Sequence, residues 1–531
     1  MKNGITLIFT FLLVGNLNAQ KIDKKIPNWY NGNKYGMLTD KAYAKLLADK
    51  KSRTVVVAVI DSGVDIEHED LKGHIWINKG EIADNGIDDD GNGYIDDING
   101  WNFLGNAKGE NINDVRLEVA RIYHDLDLKF KGREYSDLSA EEKEQYALYK
   151  EVKEEVENNR DESEKGFTSL KEMTSVLKGS DLKLRKHFGG DYTIKQLKKV
   201  KKHPKVGMEA TQMIALNKFG YTYSDIEAEN KYYRDNLDFN YNPEIDARAD
   251  VIGDDPTDFS DRNYGNNDVE GPDAGHGTHC AGIIGALRNN GIGNDGVAEN
   301  VQIMSLRAVP NGDEWDKDIA LAVRYAVDNG AQVINMSFGK SYSPDKKGVM
   351  EAFEYAEEKG VLVVHAAGNE GMDNDDLGHN FPTPKYEGMS DKFNNWIEVG
   401  ASTRHKKAKF YKDYLFLPGL AADFSNYGNE IVDVFAPGYD IYSTVPNNEY
   451  DIYDGTSMAG PMVAGLAALI MSYYTEISMI DVREIIVTTV LDPGRTTPLP
   501  SDHKKEVTFD ELCVSGGIVN VYNAIALAEK W

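Results

Sequence analysis

The sequence has 531 residues, of which 41% are hydrophobic and 27% are charged, and its formal net charge is −28. A chain of this size can bury a large core, and its two cysteines allow at most one disulfide, so a small disulfide-stapled scaffold is excluded. The negative charge argues against nucleic acid and against an anionic membrane as partners, because both would repel an acidic protein. An acidic surface usually serves solubility, and it would also favour calcium.

The first 19 residues have the pattern of a signal peptide. Lys2 precedes an apolar run from Ile5 to Val14, and small residues close the segment at Ala19. This run is too short to span a bilayer, and no later apolar run reaches spanning length. We therefore expect cleavage near Ala19, export to the periplasm or the extracellular space, and no membrane span. Residues 20–50 are predicted to form a polar N-terminal extension.

The first candidate catalytic residue ends a buried strand. The run from Thr54 to Ile60 is continuous, apolar and rich in β-branched residues, which predicts a strand covered on both faces. It ends in Asp61. Open α/β sheets place their sites at the carboxyl ends of central parallel strands, so Asp61 is a candidate catalytic carboxylate.

The acidic segment 84–97 resembles the first half of an EF-hand calcium loop. Oxygen-bearing side chains alternate from Asp88, and Gly93 permits the sharp turn at the sixth position. The twelfth position is Asn99 rather than Glu, so Asp96 or Asp97 would have to replace the closing ligand. An Asp/Gly-rich turn without metal is the alternative. The predicted Ca²⁺ ligands are Asp88, Asp90, Asn92, Tyr94 and Asp96.

Residues 110–250 are predicted to be a helical insertion. Ser139 to Glu142 forms a capping box, and apolar residues then recur at helical spacing from Tyr146 to Leu177. This pattern predicts one long amphipathic helix with a Glu/Lys face. Shorter helices are predicted over 194–200 and 209–216.

A second apolar helix carries a histidine at its N-terminal tip. Glycine stands on both sides of His276, which leaves the ring open to a substrate backbone and to a serine. Cys280 follows one turn later, on a face that should be buried, so it is interpreted as a small apolar thiol. A metal site with His279 lacks further Cys or His at ligand spacing.

Beyond this helix, apolar strands and helices mostly alternate. Such βαβ alternation predicts a parallel sheet covered by helices, and hence an α/β fold. The strand ending at Ala366 leads into Asn369, whose side-chain amide is a suitable donor to an oxyanion. Strands are predicted over 301–309, 332–338, 361–366 and 396–401, and helices over 316–327, 347–358, 478–490 and 517–528.

The segment from Gly455 to Pro461 places Ser457 at the mouth of an apolar helix that continues to Ile470. Free backbone N–H groups and the positive end of the helix dipole meet there, so negative charge near the serine would be stabilised. Pro461 is expected in the first turn, where a missing N–H costs little. Alone, the segment also fits an ordinary N-cap.

Together, these four segments resemble the subtilisin-like serine proteases, or subtilases, whose triad runs Asp, His, Ser along the chain. The resemblance covers residues 55–103 and 266–470, and more loosely the rest of the C-terminus. It implies an α/β, subtilisin-like fold with a mostly parallel central sheet flanked by helices. The catalytic domain would comprise 51–109 and 251–531, interrupted by the helical insertion.

The resemblance also implies a role for each candidate residue. Ser457 would be the nucleophile, His276 the general base and then acid, Asp61 the group that orients it, and Asn369 an oxyanion donor. Structural calcium is frequent in the family, which supports the Ca²⁺ prediction. The substrate-binding residues that the resemblance implies are Ser337, Phe338, Gly339, Ala367 and Gly368.

The resulting hypothesis is an exported serine endopeptidase that acts on polypeptides through an acyl-enzyme. The alternative is a catalytically silent relative that binds peptides. An esterase of the α/β-hydrolase kind is disfavoured, because Ser457 lacks the Gly-x-Ser-x-Gly elbow and the residue order differs. The insertion would be either a solvated appendage or a lid, since it lies between Asp61 and His276.

Overall fold

The computed structural model describes residues 27–32, 35–376, 380–411 and 415–531. The predicted signal peptide and its cleavage site lie outside the described residues, as does the start of the predicted extension. The chain divides into two compact units. The sheet unit runs from residue 27 to Asn113 and from Ala247 to Trp531, and the helical unit runs from Asp114 to Asp246.

The helices, in chain order, are α1 (Thr39–Ala42), α2 (Glu118–Phe130), α3 (Ala140–Phe188), α4 (Ile194–Val200), α5 (Gly207–Lys218), α6 (Tyr223–Asp235), α7 (Ala247–Val251), α8 (Gly275–Gly285), α9 (Asp316–Asp328), α10 (Lys346–Glu358), α11 (Thr456–Tyr473), α12 (Met479–Thr488) and α13 (Val521–Ala528). Short 3₁₀ segments lie at 29–31, 69–71, 135–137 and 509–511, and π segments at 43–47 and 236–240.

The strands are β1 (Val55–Asp61), β2 (Gly100–Asn102), β3 (Val301–Arg307), β4 (Val333–Met336), β5 (Leu362–Ala366), β6 (Trp396–Ser402), β7 (Lys409–Tyr411), β8 (Leu415–Leu417), β9 (Val434–Pro437), β10 (Ile441–Val445), β11 (Glu449–Tyr453), β12 (Thr497–Leu499) and β13 (Asp502–Val507).

Seven strands form the central sheet in the order β2-β3-β1-β4-β5-β6-β9, and every neighbouring pair is parallel. The prediction of an α/β fold with a parallel central sheet is therefore confirmed. The pairs β7-β8, β10-β11 and β12-β13 are antiparallel and separate from it. β4 ends at Met336, two residues before the predicted end, and the chain that leaves the sheet there contributes to the site.

Helices cover both faces of the sheet, which explains the continuous apolar run in β1. Val55, Val57 and Val59 belong to a core formed with α8 and α11. Ala58 and Ile60 point to the other face and join a core formed with α9 and α10. Because both faces of β1 are buried, its apolar residues do not alternate with polar ones.

α11 is the central helix of the first core. It packs against α8 and against β1, β4, β5, β6 and β9. All of its residues are buried except Ser457 and Tyr473, so an apolar surface all round is expected. Its length and hydropathy also suit a membrane span, but 89% of it lies inside the protein, as in a core helix.

The helical unit is built on α3, which has 49 residues. It begins at the predicted capping box: Ser139 Oγ accepts the N–H of Glu142 at 3.2 Å, and Glu142 Oε2 accepts the N–H of Ser139 at 2.9 Å. A small core of leucine, isoleucine, valine, alanine and methionine side chains joins α3 to α4, α5 and α6. A lid function for this unit stays a prediction.

Candidate active site

Asp61 and His276 form the anchored half of the site. Asp61 is the last residue of β1 and is 1% exposed. Its Oδ1 accepts hydrogen bonds from the N–H of Ser62 and from Nδ1 of His276, both at 2.7 Å. When Nδ1 of the neutral ring is the donor, Nε2 carries the free lone pair. The pair therefore holds the imidazole in the tautomer that a general base requires.

The start of α8 approaches the end of β1 so closely that only glycine fits at position 277. A Cβ on Gly277 would lie 2.1 Å from the carbonyl oxygen of Gly63 and 3.1 Å from Cβ of Asp61. Gly275, in contrast, has only ordinary van der Waals neighbours, the nearest at 3.5 Å. Gly277 therefore allows the close contact between α8 and β1 that brings His276 to Asp61.

The pKa of His276 is raised above its ordinary value of 6.5. Burial alone would lower the pKa, but the charge and hydrogen bond of Asp61, together with the charge of Asp273, outweigh burial. The imidazole side chain remains 38% exposed, so a substrate or its leaving group can reach the ring. The site thus stabilises the protonated His276 ring while leaving that ring accessible to other molecules.

Ser457 is the second residue of α11, beside the end of β4. Its hydroxyl donates to the carbonyl oxygen of Ser337 at 3.1 Å, while its own carbonyl accepts the Ser337 hydroxyl at 2.9 Å. Among the described residues, no hydrogen bond joins Ser457 Oγ to His276. Proton transfer between them therefore requires the serine hydroxyl to rotate away from Ser337.

Pro461 does not lie in the first turn, and that prediction is wrong. α11 begins at Thr456, so Pro461 is its sixth residue and stands inside the helix. A proline there provides no N–H to the carbonyl four residues earlier, which is that of Ser457. The Ser337 hydroxyl and the Cys280 thiol, at 3.4 Å, donate to this carbonyl instead. Because Pro461 provides no N–H, the Ser457 carbonyl is bonded to two side chains from other elements.

Asn369 contacts the first turn of α11. Its Oδ1 accepts hydrogen bonds from the backbone N–H and the hydroxyl of Thr456, at 2.8 and 3.0 Å. These bonds occupy the oxygen of the carboxamide, so the Nδ2 group is the end that can donate to a bound molecule. Thr456, which the sequence did not single out, sets the orientation of this amide.

The predicted substrate-binding residues lie where β4 and β5 end. These strands are parallel neighbours, so both following segments leave the sheet at one edge. Ser337 contacts Ser457, and the N–H of Gly368 donates to Thr456 Oγ1 at 3.1 Å. The segments contain buried Ser337 and Ala367, half-buried Phe338 and Gly368, and exposed Gly339.

A buried histidine and glutamate support this edge, and the sequence interpretation missed them. His365 Nε2 lies 2.8 Å from the carbonyl oxygen of Phe338, and Nδ1 lies 3.0 Å from both carboxyl oxygens of Glu398. Trp396 Nε1 donates to the same carboxyl at 2.7 Å. Both ring nitrogens therefore face oxygens, and the ring connects the Phe338 carbonyl to the Glu398 carboxyl group. The sequence signal that could have revealed this pair is a titratable residue in each of two otherwise apolar strands, His365 in β5 and Glu398 in β6.

The predicted calcium loop uses several of its carboxylates on its own backbone. Asp88 accepts the N–H groups of Gly91, Asn92 and Gly93, and Asp96 accepts two further backbone N–H groups. The side chain of Tyr94 packs edge-on against Trp101 and Tyr325. The ligand set of Asp88, Asp90, Asn92, Tyr94 and Asp96 stays a prediction.

Three carboxylates do converge at this loop: Asp90 of the predicted set, Asp97, which was the alternative to Asp96 as closing ligand, and Glu81, which was not predicted. Single oxygens of Glu81, Asp90 and Asp97 all lie within 4.8 Å of one another. Burial raises the pKa of Asp97 to about 6, hydrogen bonds from Tyr325 and neighbouring amides oppose this, and the charge of Asp90 adds to it. Hard oxygen ligands at this spacing fit a divalent cation that would neutralise them.

Both cysteines, Cys280 and Cys513, are buried and free. The prediction that Cys280 is a buried thiol is confirmed. His279 stacks on Tyr453 with ring centroids 4.3 Å apart, and its Nε2 lies 3.1 Å from the carbonyl oxygen of Ile441. These contacts give His279 a packing role beneath the site.

Comparisons with known proteins agree on one family. A protein-family model described as "Subtilase family" matches residues 52–516 of the chain. A thermophilic serine proteinase of Bacillus sp. (strain AK1) is 40% identical over 274 residues, which cover 50% of this chain and 55% of that protein. Thermitase of Thermoactinomyces vulgaris is 40% identical over 200 residues, 37% of this chain and 61% of that protein. Subtilisin DY of Bacillus licheniformis is 36% identical over 221 residues, 41% and 72% of the two chains.

The chain thus spans little more than half the length of the first two relatives. Two solved structures are also similar to it. One, from work on the assembly of the subtilase cytotoxin SubAB, is 23% identical with a TM-score of 0.38 and covers 48% of this chain and 77% of that chain. A protease from Pseudoalteromonas arctica PAMC 21717 is 26% identical with a TM-score of 0.38, and the coverage is 51% and 80%.

Proposed function

The chain belongs to the subtilase family, and we propose that it is an exported serine endopeptidase that hydrolyses peptide bonds through an acyl-enzyme on Ser457. The observation that carries the proposal is the 2.7 Å bond from His276 Nδ1 to Asp61, at the sheet edge where the serine helix begins. Export is inferred from the residue pattern of positions 1–19 alone.

The proposed reaction starts with a rotation of the Ser457 hydroxyl from the Ser337 carbonyl to His276 Nε2. The ring takes the proton as the serine oxygen attacks the peptide carbonyl, and it then gives that proton to the leaving amine. Asp61 stabilises the transient imidazolium, in keeping with the raised pKa of His276. A water molecule repeats the sequence and releases the acyl group.

The developing oxyanion would be held by Asn369 Nδ2 and by the backbone N–H of Ser457, because the N–H groups of Thr456 and Met458 already have acceptors. Both donors are oriented before the substrate arrives, because Thr456 holds the amide oxygen and the helix holds its own backbone. Preorganised donors of this kind stabilise the transition state more than the ground state.

Polypeptides are the proposed substrates. The exposed backbone at Gly339, just beyond β4, is suited to pair with an extended peptide, as sheet edges do. Small residues at Ala367 and Gly368 leave room for the side chain before the cleaved bond.

Active-site labelling with a fluorophosphonate tests the nucleophile. We expect the wild-type protein to be labelled and Ser457→Ala not to be. The matched control is Ser472→Ala, because Ser472 is a buried serine in the same helix whose hydroxyl donates to Leu469. Labelling that persists in Ser457→Ala, or that Ser472→Ala also abolishes, contradicts the assignment.

The alternative function is a catalytically silent relative that binds peptides. The bond from the Ser457 hydroxyl to Ser337, instead of to His276, is the observation that favours it. The two functions differ in one measurement, because a silent relative would bind unfolded polypeptides such as casein without releasing fragments or reacting with the fluorophosphonate.

We also propose that the protein binds structural Ca²⁺ with Glu81, Asp90 and Asp97 among its ligands. A bound cation would relieve the repulsion between these carboxylates and stabilise the loop around residues 84–97. Melting temperature should rise with added Ca²⁺ and fall with a chelator, and Asp97→Asn should reduce this response. A melting temperature that ignores both Ca²⁺ and chelator would refute the proposal.

A further inference from the structure

We propose that one end of the helical unit is a docking surface for an anionic lipid bilayer. This surface, the basic tip, comprises residues 182–208: the end of α3, α4 and the start of α5. Its charge, its folding into one end of the unit and its exposed aliphatic side chains each support the assignment.

The basic tip carries the opposite charge to the rest of the chain. Residues 183–205 contain nine Lys or Arg and a single acidic residue, Asp191, which gives a formal charge of +8 in a chain whose total is −28. All nine cationic side chains are exposed: Lys183, Arg185, Lys186, Lys195, Lys198, Lys199, Lys201, Lys202 and Lys205.

The fold collects these charges at one place. Ser180 Oγ donates to Gln212 at 2.7 Å, and Lys183 Nζ lies 2.8 Å from Glu209 Oε1, so the end of α3 runs beside the start of α5. The rings of His187 and His203 are 4.8 Å apart. The chain between these two histidines therefore returns to its starting point, and its lysines share one end of the helical unit.

Few of the described cationic side chains in the basic tip form ion pairs. Lys183 pairs with Glu209, and Arg185 pairs with Asp181 and Asp191. Among the described residues, the other seven lysines form no ion pair. Seven unpaired cations close together repel one another, and an anionic surface removes that repulsion.

Two exposed aliphatic side chains distinguish a bilayer from a nucleic acid. Leu182 is 58% exposed and Met208 is 69% exposed. They are the sequence neighbours of Lys183 and Glu209, which form an ion pair, so both lie within the basic tip. Aliphatic groups can enter the boundary between headgroups and acyl chains, whereas a phosphodiester backbone offers them no partner.

The net charge of the whole chain does not oppose such binding. Electrostatic forces are screened over about 8 Å at physiological ionic strength, so a surface responds to its local charge. The sequence-based argument against an anionic membrane used the net charge of all 531 residues, which does not reveal a local positive surface such as the basic tip.

Cosedimentation with lipid vesicles tests the proposal, using the full-length Ser457→Ala protein so that proteolysis plays no part. We expect binding to mixed phosphatidylglycerol and phosphatidylcholine vesicles, no binding to pure phosphatidylcholine vesicles, and loss of binding at high salt. Since the readout does not use the nucleophile, its outcome is independent of the proposed protease activity.

A quadruple variant locates the surface. Changing Lys198, Lys199, Lys201 and Lys202 to Gln should weaken binding several hundred-fold, at about fivefold for each lysine beside an anionic surface. The matched control changes four exposed lysines elsewhere in the helical unit and should bind nearly as wild type. The control positions are Lys150, Lys165, Lys171 and Lys231.

A double variant, Leu182→Ser with Met208→Ser, tests the lipid contact, and it should weaken vesicle binding without affecting any binding to duplex DNA. Each of the following results overturns the proposal: no sedimentation with anionic vesicles, equal weakening in both quadruple variants, or DNA binding in place of vesicle binding. Self-association that the basic-tip variant abolishes would assign the surface to a second copy, and would also overturn it.

Discussion

Replacing Ser337 by alanine should destabilise the protein, and replacing Pro461 by alanine as well should restore part of the loss. Ser337 is 3% exposed, and its hydroxyl donates at 2.9 Å to the Ser457 carbonyl that Pro461 leaves without a helical partner. The same hydroxyl accepts the amide of Asn335 at 3.0 Å. One substitution therefore removes a partner from the buried Asn335 amide and from the half-buried Ser457 carbonyl.

The expected loss follows from these two contacts. A buried polar group left without a partner costs about 1–3 kcal/mol. The thiol of Cys280 still reaches the Ser457 carbonyl at 3.4 Å, so the lower end of that range applies there. We expect Ser337→Ala to lower the free energy of unfolding by about 2–3 kcal/mol.

Pro461→Ala supplies the missing N–H to the Ser457 carbonyl. In the wild type that carbonyl already has partners, so the substitution should change stability little. In the Ser337→Ala background it should recover about 1 kcal/mol, the net value of an intramolecular hydrogen bond. The two substitutions should therefore be non-additive by about this amount.

Urea unfolding followed by tryptophan fluorescence measures this cycle, in a Ser457→Ala background so that unfolded chains are not digested. The control cycle pairs Pro461→Ala with Ser472→Ala, in which the lost hydroxyl donates to Leu469 and not to Ser457. The control should be additive. Additivity in the Ser337 cycle too would refute the role assigned to the proline.

Three further predictions concern catalysis. The pKa of His276 is raised and only the neutral ring acts as a base, so kcat/KM should fall on acidification with a midpoint above pH 6.5. Asp61→Asn should move that midpoint to lower pH. A pH–rate profile with a chromogenic peptide measures both midpoints. Asn369→Ala should lower kcat about 10²- to 10³-fold with KM nearly unchanged, a scale taken from subtilisin itself; an equal rise in KM would contradict an oxyanion role. Gly277→Ala should abolish activity, since its Cβ would lie 2.1 Å from a backbone oxygen, while Gly275→Ala should be tolerated; equal losses in peptide assays would disprove this distinction.

Some of the molecule could be predicted because buried elements leave strong patterns. A strand covered on both faces must be apolar throughout, so Thr54 to Ile60 identified β1 and the position of Asp61 at its end. The same reasoning identified α11 around Ser457 and the capping box of α3. These features depend on local periodicity and on termini, which neighbouring residues alone determine.

The sequence by itself determined which chemical groups are present, in what order, and on which kind of element each lies. Only the tertiary structure decided which of them meet: the 2.7 Å contact between residues 215 positions apart, the hydroxyl of Ser337 on the carbonyl that Pro461 leaves open, and the convergence of Glu81 and Asp97 with Asp90. The run of lysines after α3 is plain in the sequence, but its return to a single tip depends on helix packing. The reason is that spacing along a chain fixes the face on which a side chain lies, whereas the partner across that face comes from distant residues.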